Sequence, residues 1–213
     1  MLEFAILGLL ADAPRHGYEL RKRLGELLGG LRVFSFGSLY PTLRRLEAKG
    51  LITPAAPVDG VDAPALSGRR ARIVYQLTPE GKERFGELLA DVSPSAYDDE
   101  QFGVHLAFFS QTSAPDRLRI LQGRRRRVEE RREGMSNAFH RTAERFDHYT
   151  RQLHEHGLDA ADREVRWLSE LIDNETRAHE QSTHPQTSGS PSSSRPHDGS
   201  PKTPTTRPTT PEK

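Results

Sequence analysis

Residues 35–52 read SFGSLYPTLRRLEAKGLI, and the reading of this stretch decides the fold. Leu39, Leu43 and Leu46 stand at i, i+4 and i+7, which gives a helix one narrow buried stripe. The spacing leaves Ser38, Thr42, Arg45 and Lys49 for the opposite face, with Tyr40 and Arg44 on its flanks and Glu47 as the one acid. Hydroxyls, a phenol and cations suit a helix laid in the DNA major groove, where Arg bonds guanine edges and cations offset backbone charge. An ordinary amphipathic helix with a merely wet polar face reads the same way at this stage. Pro41 lacks an N–H and is tolerated only near a first turn, so the helix is expected to start between Ser35 and Ser38. Gly50 supplies a left-handed stop, after which Leu51 and Ile52 begin an extended segment.

Working outward, residues 2–12 form an expected first helix, halted by Ala13-Pro14. Residues 16–28 form a second, burying Leu20, Leu24 and Leu27 before Gly29-Gly30. Beyond Gly50, residues 51–55 and 73–77 read as two strands joined by a loop rich in Gly, Pro and Ala. That loop ends in Gly68-Arg69-Arg70-Ala71-Arg72; Arg69, Arg70 and Arg72 have no acid nearer than Asp62 and are assigned to phosphate contact. Thr78-Pro79-Glu80 starts a fourth helix, reaching about Val92, with a hydroxyl cap, proline at the first helical position and an acid in the first turn. Three helices followed by a hairpin with a cationic tip is the element order of a winged helix-turn-helix, whose third helix enters the major groove.

These ninety residues resemble the PadR family of bacterial transcriptional regulators. The resemblance rests on AILGLL at 5–10, HGYEL at 16–20, SFGSLYPTLRRLEAKGLI, and RIVYQLTPEGKE at 72–83. It implies a repressor that docks as a homodimer through helices following the winged domain and leaves DNA when an effector binds. It also places Tyr18 and Tyr40 near the DNA face. One departure is the wing, which is longer than expected and carries Val61-Asp62-Ala63-Pro64.

After a polar break at 95–100 the chain reads as helical again, with a short helix over 101–110. A 3,4 spacing over 118–153 picks out Leu118, Leu121, Arg125, Val128, Arg132, Met135, Phe139, Thr142, Phe146, Tyr149 and Leu153, eight of the eleven apolar. One long helix with a coiled-coil-like seam follows from this. After Gly157 a last helix over 161–179 presents Val165, Leu168, Leu171 and Ile172. Only this short helix is left to cover the seam, so a second copy is the expected cover and an inverted-repeat operator its counterpart. Trp167 offers a large flat ring at a helix interface, a candidate for stacking on a small aromatic or apolar effector.

The reading is thus mainly α: a winged helix-turn-helix with a two-stranded wing over 1–92, a helical dimerisation and effector domain over 93–181, and a tail. In residues 182–213, Pro, Ser and Thr make up 21 of 32 positions, a composition that predicts disorder. Net charge is +1 overall, yet residues 1–90 hold thirteen Lys and Arg against ten Asp and Glu, which makes the first part the better partner for a polyanion.

Function classes are excluded in turn. No stretch nears the roughly 20 apolar residues needed to cross a bilayer, and residues 2–10 lack a basic leader, so a cytoplasmic protein is expected. The absence of cysteine removes disulfides, thiolate catalysis and Cys-ligated zinc. His154 and His156 stand at i and i+2, His140 and His148 eight apart; neither matches the i, i+4 spacing of a zinc helix, so no metal or cofactor is expected. With no nucleophile context and no Gly-rich phosphate loop, an enzyme is not expected. Arg124 to Arg127 point around a whole helix circumference, with Glu129, Glu130 and Glu133 close by, and read as a solvated face. Two classes remain: an effector-responsive DNA-binding repressor, and a winged-helix protein–protein module without DNA binding. The arginines at 44, 45, 69, 70 and 72 favour the first.

Overall fold

The structure is a computed structural model that describes residues 1–28, 36–55, 73–142 and 145–183. The helix α1 (Leu2–Asp12) leads into a two-residue strand β1 (Arg15–His16) and then α2 (Gly17–Leu28). A 3-10 turn at Phe36–Ser38 opens α3 (Leu39–Ala48), followed by β2 (Ile52–Ala55), β3 (Val74–Leu77) and α4 (Pro79–Leu89). The strands form an antiparallel sheet in the order β1-β3-β2. Strand β1 was not expected: two residues carry no alternation, and only pairing of Arg15 with Tyr75 and His16 with Val74 makes them a strand. Pro54 sits in β2 at the sheet edge, where the missing donor is tolerated. The tip of the hairpin, with Arg69, Arg70 and Arg72, lies outside the described residues, as do residues 184–213 of the tail.

The junction between hairpin and α4 is held by one hydroxyl. Thr78 Oγ1 accepts from the Gly81 N–H at 3.0 Å, capping α4, and donates to the Gly50 carbonyl at 2.7 Å. Gly50 has φ 72°, which permits the left-handed stop after α3. Gly81 is required for another reason: a Cβ there would lie 1.9 Å from the Leu51 carbonyl oxygen. The core of this part joins Phe4, Ile6, Leu7, Leu20, Leu43, Leu46 and Ile52, each at most 2% exposed. Phe4, Phe85 and Phe108 meet with centroids 5.4–5.7 Å apart, so the following helix α5 (Phe102–Ala107) is docked on α1 and α4 through the ring just beyond it. Gly8 allows this approach, since a Cβ would fall 2.3 Å from the Phe108 ring.

A second core gathers Ile120, Leu121, Val128, Leu168 and Ile172 between α6 (Ala114–Thr142) and α7 (His148–Thr183). Here the structure corrects the single long helix over 118–153. Asp147 breaks it: its carboxylate accepts from the backbone N–H of Tyr149 at 2.8 Å and of Thr150 at 3.1 Å, which caps a new helix. The chain reverses there, as the pairs Arg117–Glu175, Arg132–Asp162 and Met135–Gly157 show by their opposed order. At the tip, Phe146 stacks on His154 with centroids 4.7 Å apart and Phe139 leans on both. Gly157 does not end a helix either. It lies inside the 36-residue α7, where a Cβ would meet the Met135 methyl at 2.6 Å, so its role is close helix packing. The seam is therefore covered by the chain's own α7, with Leu121 (1%), Val128 (0%), Leu168 (0%) and Ile172 (7%) already buried in one copy. Leu118, Met135, Phe139, Phe146, Val165 and Leu171 are half-buried, whereas Tyr149 (83%) and Leu153 (69%) stand out from α7.

Candidate nucleic-acid interface

Helix α3 turns a stripe of Leu39, Thr42, Leu43 and Leu46 into the first core. Thr42 is 8% exposed, a correction to its place on the open face: it follows Leu39 by three and precedes Leu46 by four, within the core stripe itself. At 100° per residue the middle of the outward face is then Gly37, Pro41, Arg44 and Ala48, all exposed. Three of the four are small or flat, so a groove can come close to the backbone around a single guanidinium.

The two flanks of this face differ. On one, Tyr40 lies against α2 and the sheet, since a Cβ at Gly17 would stand 3.3 Å from its ring and 3.8 Å from the ring of Tyr75. Burial raises the pKa of the Tyr75 phenol; Glu47 and Tyr40 add to the rise and Arg44 opposes it. Tyr18, 49% exposed, opens α2. Arg15 ties this end together through the Leu9 carbonyl at 3.1 Å, Glu19 at 2.7 Å and Asp12.

On the other flank Arg45 and Lys49 converge on Glu3 of α1, at 3.8 and 3.7 Å, and Arg84 of α4 reaches the same carboxylate at 3.3 Å. Arg45 and Lys49 remain more than half exposed. Glu3 was not singled out in the sequence, because its partners lie 42 to 81 residues away and no local spacing joins them. Ser38 is exposed in the 3-10 turn at the start of α3.

In the basic run on α6, Arg126 and Arg127 are exposed as the sequence implies, and Arg124 is the correction. Arg124 is 7% exposed and faces inward, bonding Glu164 at 2.8 Å and Asp99 at 2.6 Å with its guanidinium 5.2 Å above the Phe102 ring. Arg125 pairs with Glu129 along the helix at 3.7 Å. For the Asp99 carboxyl, burial acts upward, but the hydrogen bond and charge of Arg124 and the charge of Arg131 outweigh it and hold its pKa below the usual value. Trp167, 41% exposed, meets Phe102 edge to face at 6.3 Å. Both rings line a cavity of about 360 Å³ shared with Met1, Leu28, Val104 and Arg124. The cavity beside Trp167 thus lies where α6 and α7 meet α5 and the ends of α1 and α2. Among the described residues no cluster of three or more His, Asp or Glu could hold a metal, and no helix is long and apolar enough to cross a membrane.

A helix with an open cationic face, set beside an antiparallel hairpin and backed by three helices, is the arrangement of a winged helix-turn-helix. Residues 6–87 match the Transcriptional regulator PadR-like family. The chain is 43% identical over 83 residues to the Transcriptional regulator Rv3488 of Mycobacterium tuberculosis, which is 38% of this chain and 66% of that protein. It is 29% identical over 94 residues to the Negative transcriptional regulator PadR of Bacillus subtilis, 44% of this chain and 48% of that one. The chain thus spans less than two thirds of the length of either relative. A crystal structure of Bacillus subtilis PadR in complex with operator DNA is similar at 19% identity and a TM-score of 0.38, covering 82% of this chain and 97% of that one.

Proposed function

We propose that the protein is a sequence-specific double-stranded-DNA-binding regulator, a cytoplasmic repressor that acts as a homodimer on an inverted repeat and is released by a small apolar or aromatic effector. The observation that carries this is the outward face of α3, where Gly37, Pro41 and Ala48 leave Arg44 standing alone at the middle beside the hairpin. A major groove needs that geometry: little bulk, and one fork of donors able to reach O6 and N7 of a guanine. Tyr18, Tyr40, Ser38, Arg45 and Lys49 border the face and serve the phosphates, and Arg69, Arg70 and Arg72, which lie outside the described residues, are assigned to phosphate contact from the sequence.

Selection of duplexes from a random pool, followed by fluorescence anisotropy on the enriched sequence and on a random duplex across a salt series, tests the reading. A palindromic enriched site, bound at least a thousandfold more tightly than random DNA, is the expected result, about the lower end for specific regulators. A pool that yields no enriched sequence would leave the protein–protein module as the better account.

A further inference from the structure

We infer that Glu3 is a built-in counter-anion for the DNA face, a positioning residue that restrains Arg45 and Lys49 and thereby raises the preference for specific over random DNA. The inference rests on the DNA-binding reading and goes beyond it to what sets its selectivity. Glu3 belongs to the first turn of α1, and its side chain is only 17% exposed, so the carboxylate is a fixed feature of the surface. Three cations from two other helices address it. Arg84 Nε donates a hydrogen bond to Oε1 at 3.3 Å. Arg45 and Lys49 both approach Oε2, at 3.8 and 3.7 Å. Those two separations lie within ion-pair range but beyond a hydrogen bond. Arg45 and Lys49 are thus oriented by Glu3 without spending their donors on it.

Arg84 is also paired with Glu87 at 2.7 Å, so two carboxylates against three cations leave one surplus positive charge, on the Arg45 and Lys49 side next to the outward face of α3. A phosphate is the anion whose shape and charge match two half-exposed cations held side by side. Each phosphate bound there must share them with Glu3, which subtracts from the electrostatic attraction that any duplex supplies. Random DNA depends on that attraction almost entirely, whereas a specific site adds base contacts that Glu3 does not touch. The carboxylate therefore weakens random binding by the larger factor.

Glu3→Gln removes the charge while keeping the length and an acceptor for Arg84. Random-duplex affinity of the full chain is expected to rise by roughly three- to tenfold at low salt, in line with the loss of two exposed ion pairs. The salt dependence should steepen by about one unit of slope. Affinity for the enriched site should rise less, so the ratio of specific to random binding falls. Lys49→Gln should lose more random-DNA affinity in the Glu3→Gln background than in the wild type, a coupling that a purely structural role for Glu3 does not produce. Should Glu3→Gln unfold, Glu3→Asp, which draws the charge back by one methylene, is expected to move random affinity and slope in the same direction by less. A selective wild type whose folded Glu3 variant binds random DNA equally or more weakly overturns the inference alone. A wild type that prefers no duplex brings down the DNA-binding reading and this inference with it.

Discussion

Arg44 and Arg45 are neighbours in the chain and opposites in the fold. Arg44 stands at the middle of the outward face, whereas Arg45 leans towards Glu3 on the flank. A base-edge contact carries roughly 1–3 kcal/mol of discrimination and a phosphate contact none. Arg44→Ala should therefore lower affinity for the enriched site by ten- to a hundredfold, at about 1.4 kcal/mol for each factor of ten, and affinity for random DNA far less. Arg45→Ala should lower both by similar, small factors. Anisotropy titrations of the two variants on both duplexes decide it, and a larger specific loss for Arg45→Ala would move the base contact to the flank.

At the scale of elements, the joints are specified by single side chains. Thr78 caps α4 and ties it to the stop of α3, so Thr78→Ala should cost about 1 kcal/mol in urea unfolding. An unchanged midpoint would mean that Pro79 and the Gly81 packing suffice. The docking of α5 makes a different prediction, because it buries His105 to 1% exposure, edge-on to Phe4 at 4.8 Å, with Nδ1 unpartnered. Burial lowers its pKa from 6.5, with Asp91 and Asp98 opposing and the N-terminal charge assisting. In the unfolded chain the imidazole takes a proton near pH 6.5, while in the folded protein it resists until a lower pH. Stability from this group is thus full above 6.5 and declines as pH falls below it. His105→Phe should flatten the loss of thermal stability between pH 7 and pH 5. Equal losses in variant and wild type would assign the acid sensitivity to other groups.

For the whole molecule, the two cores assign separate duties to the C-terminal residues. Leu121, Val128, Leu168 and Ile172 hold α6 on α7 within one copy, while Tyr149 and Leu153 remain on the outside. Leu168→Asp is therefore expected to unfold the C-terminal helices rather than to separate subunits. Tyr149→Asp with Leu153→Asp should instead yield a folded protein of 24.0 kDa by light scattering, where the wild type is expected at twice that mass. A wild-type mass of 24.0 kDa would remove the homodimer from the proposal. Trp167 is the single tryptophan and lines the cavity between the two cores. Its emission should shift when a small aromatic compound that releases the protein from DNA is added, and emission that ignores every such compound would leave Trp167 as packing alone.

Local chemistry made much of this legible in the chain itself. Helices α1 to α4 and the hairpin follow from short-range signals: the leucine spacing of α3, the cap and proline at Thr78-Pro79, the left-handed Gly50. Each acts within a turn or two, so sequence neighbours suffice to read it. What only the tertiary structure decided depends on partners far along the chain. Strand β1 exists because β3 pairs with it, Thr42 is buried because the core stripe is wider than its leucines, and Gly157 continues a helix because Met135 presses against it. Asp147 turned one apparent seam into two antiparallel helices, so the cover for Leu121 and Val128 came from the same chain. The charges show the same division most clearly. Sequence could count the arginines, but only folding could place Arg124 between Glu164 and Asp99 and bring Arg45 and Lys49 to Glu3, because an ion pair is set by distance in space and not by separation along the chain.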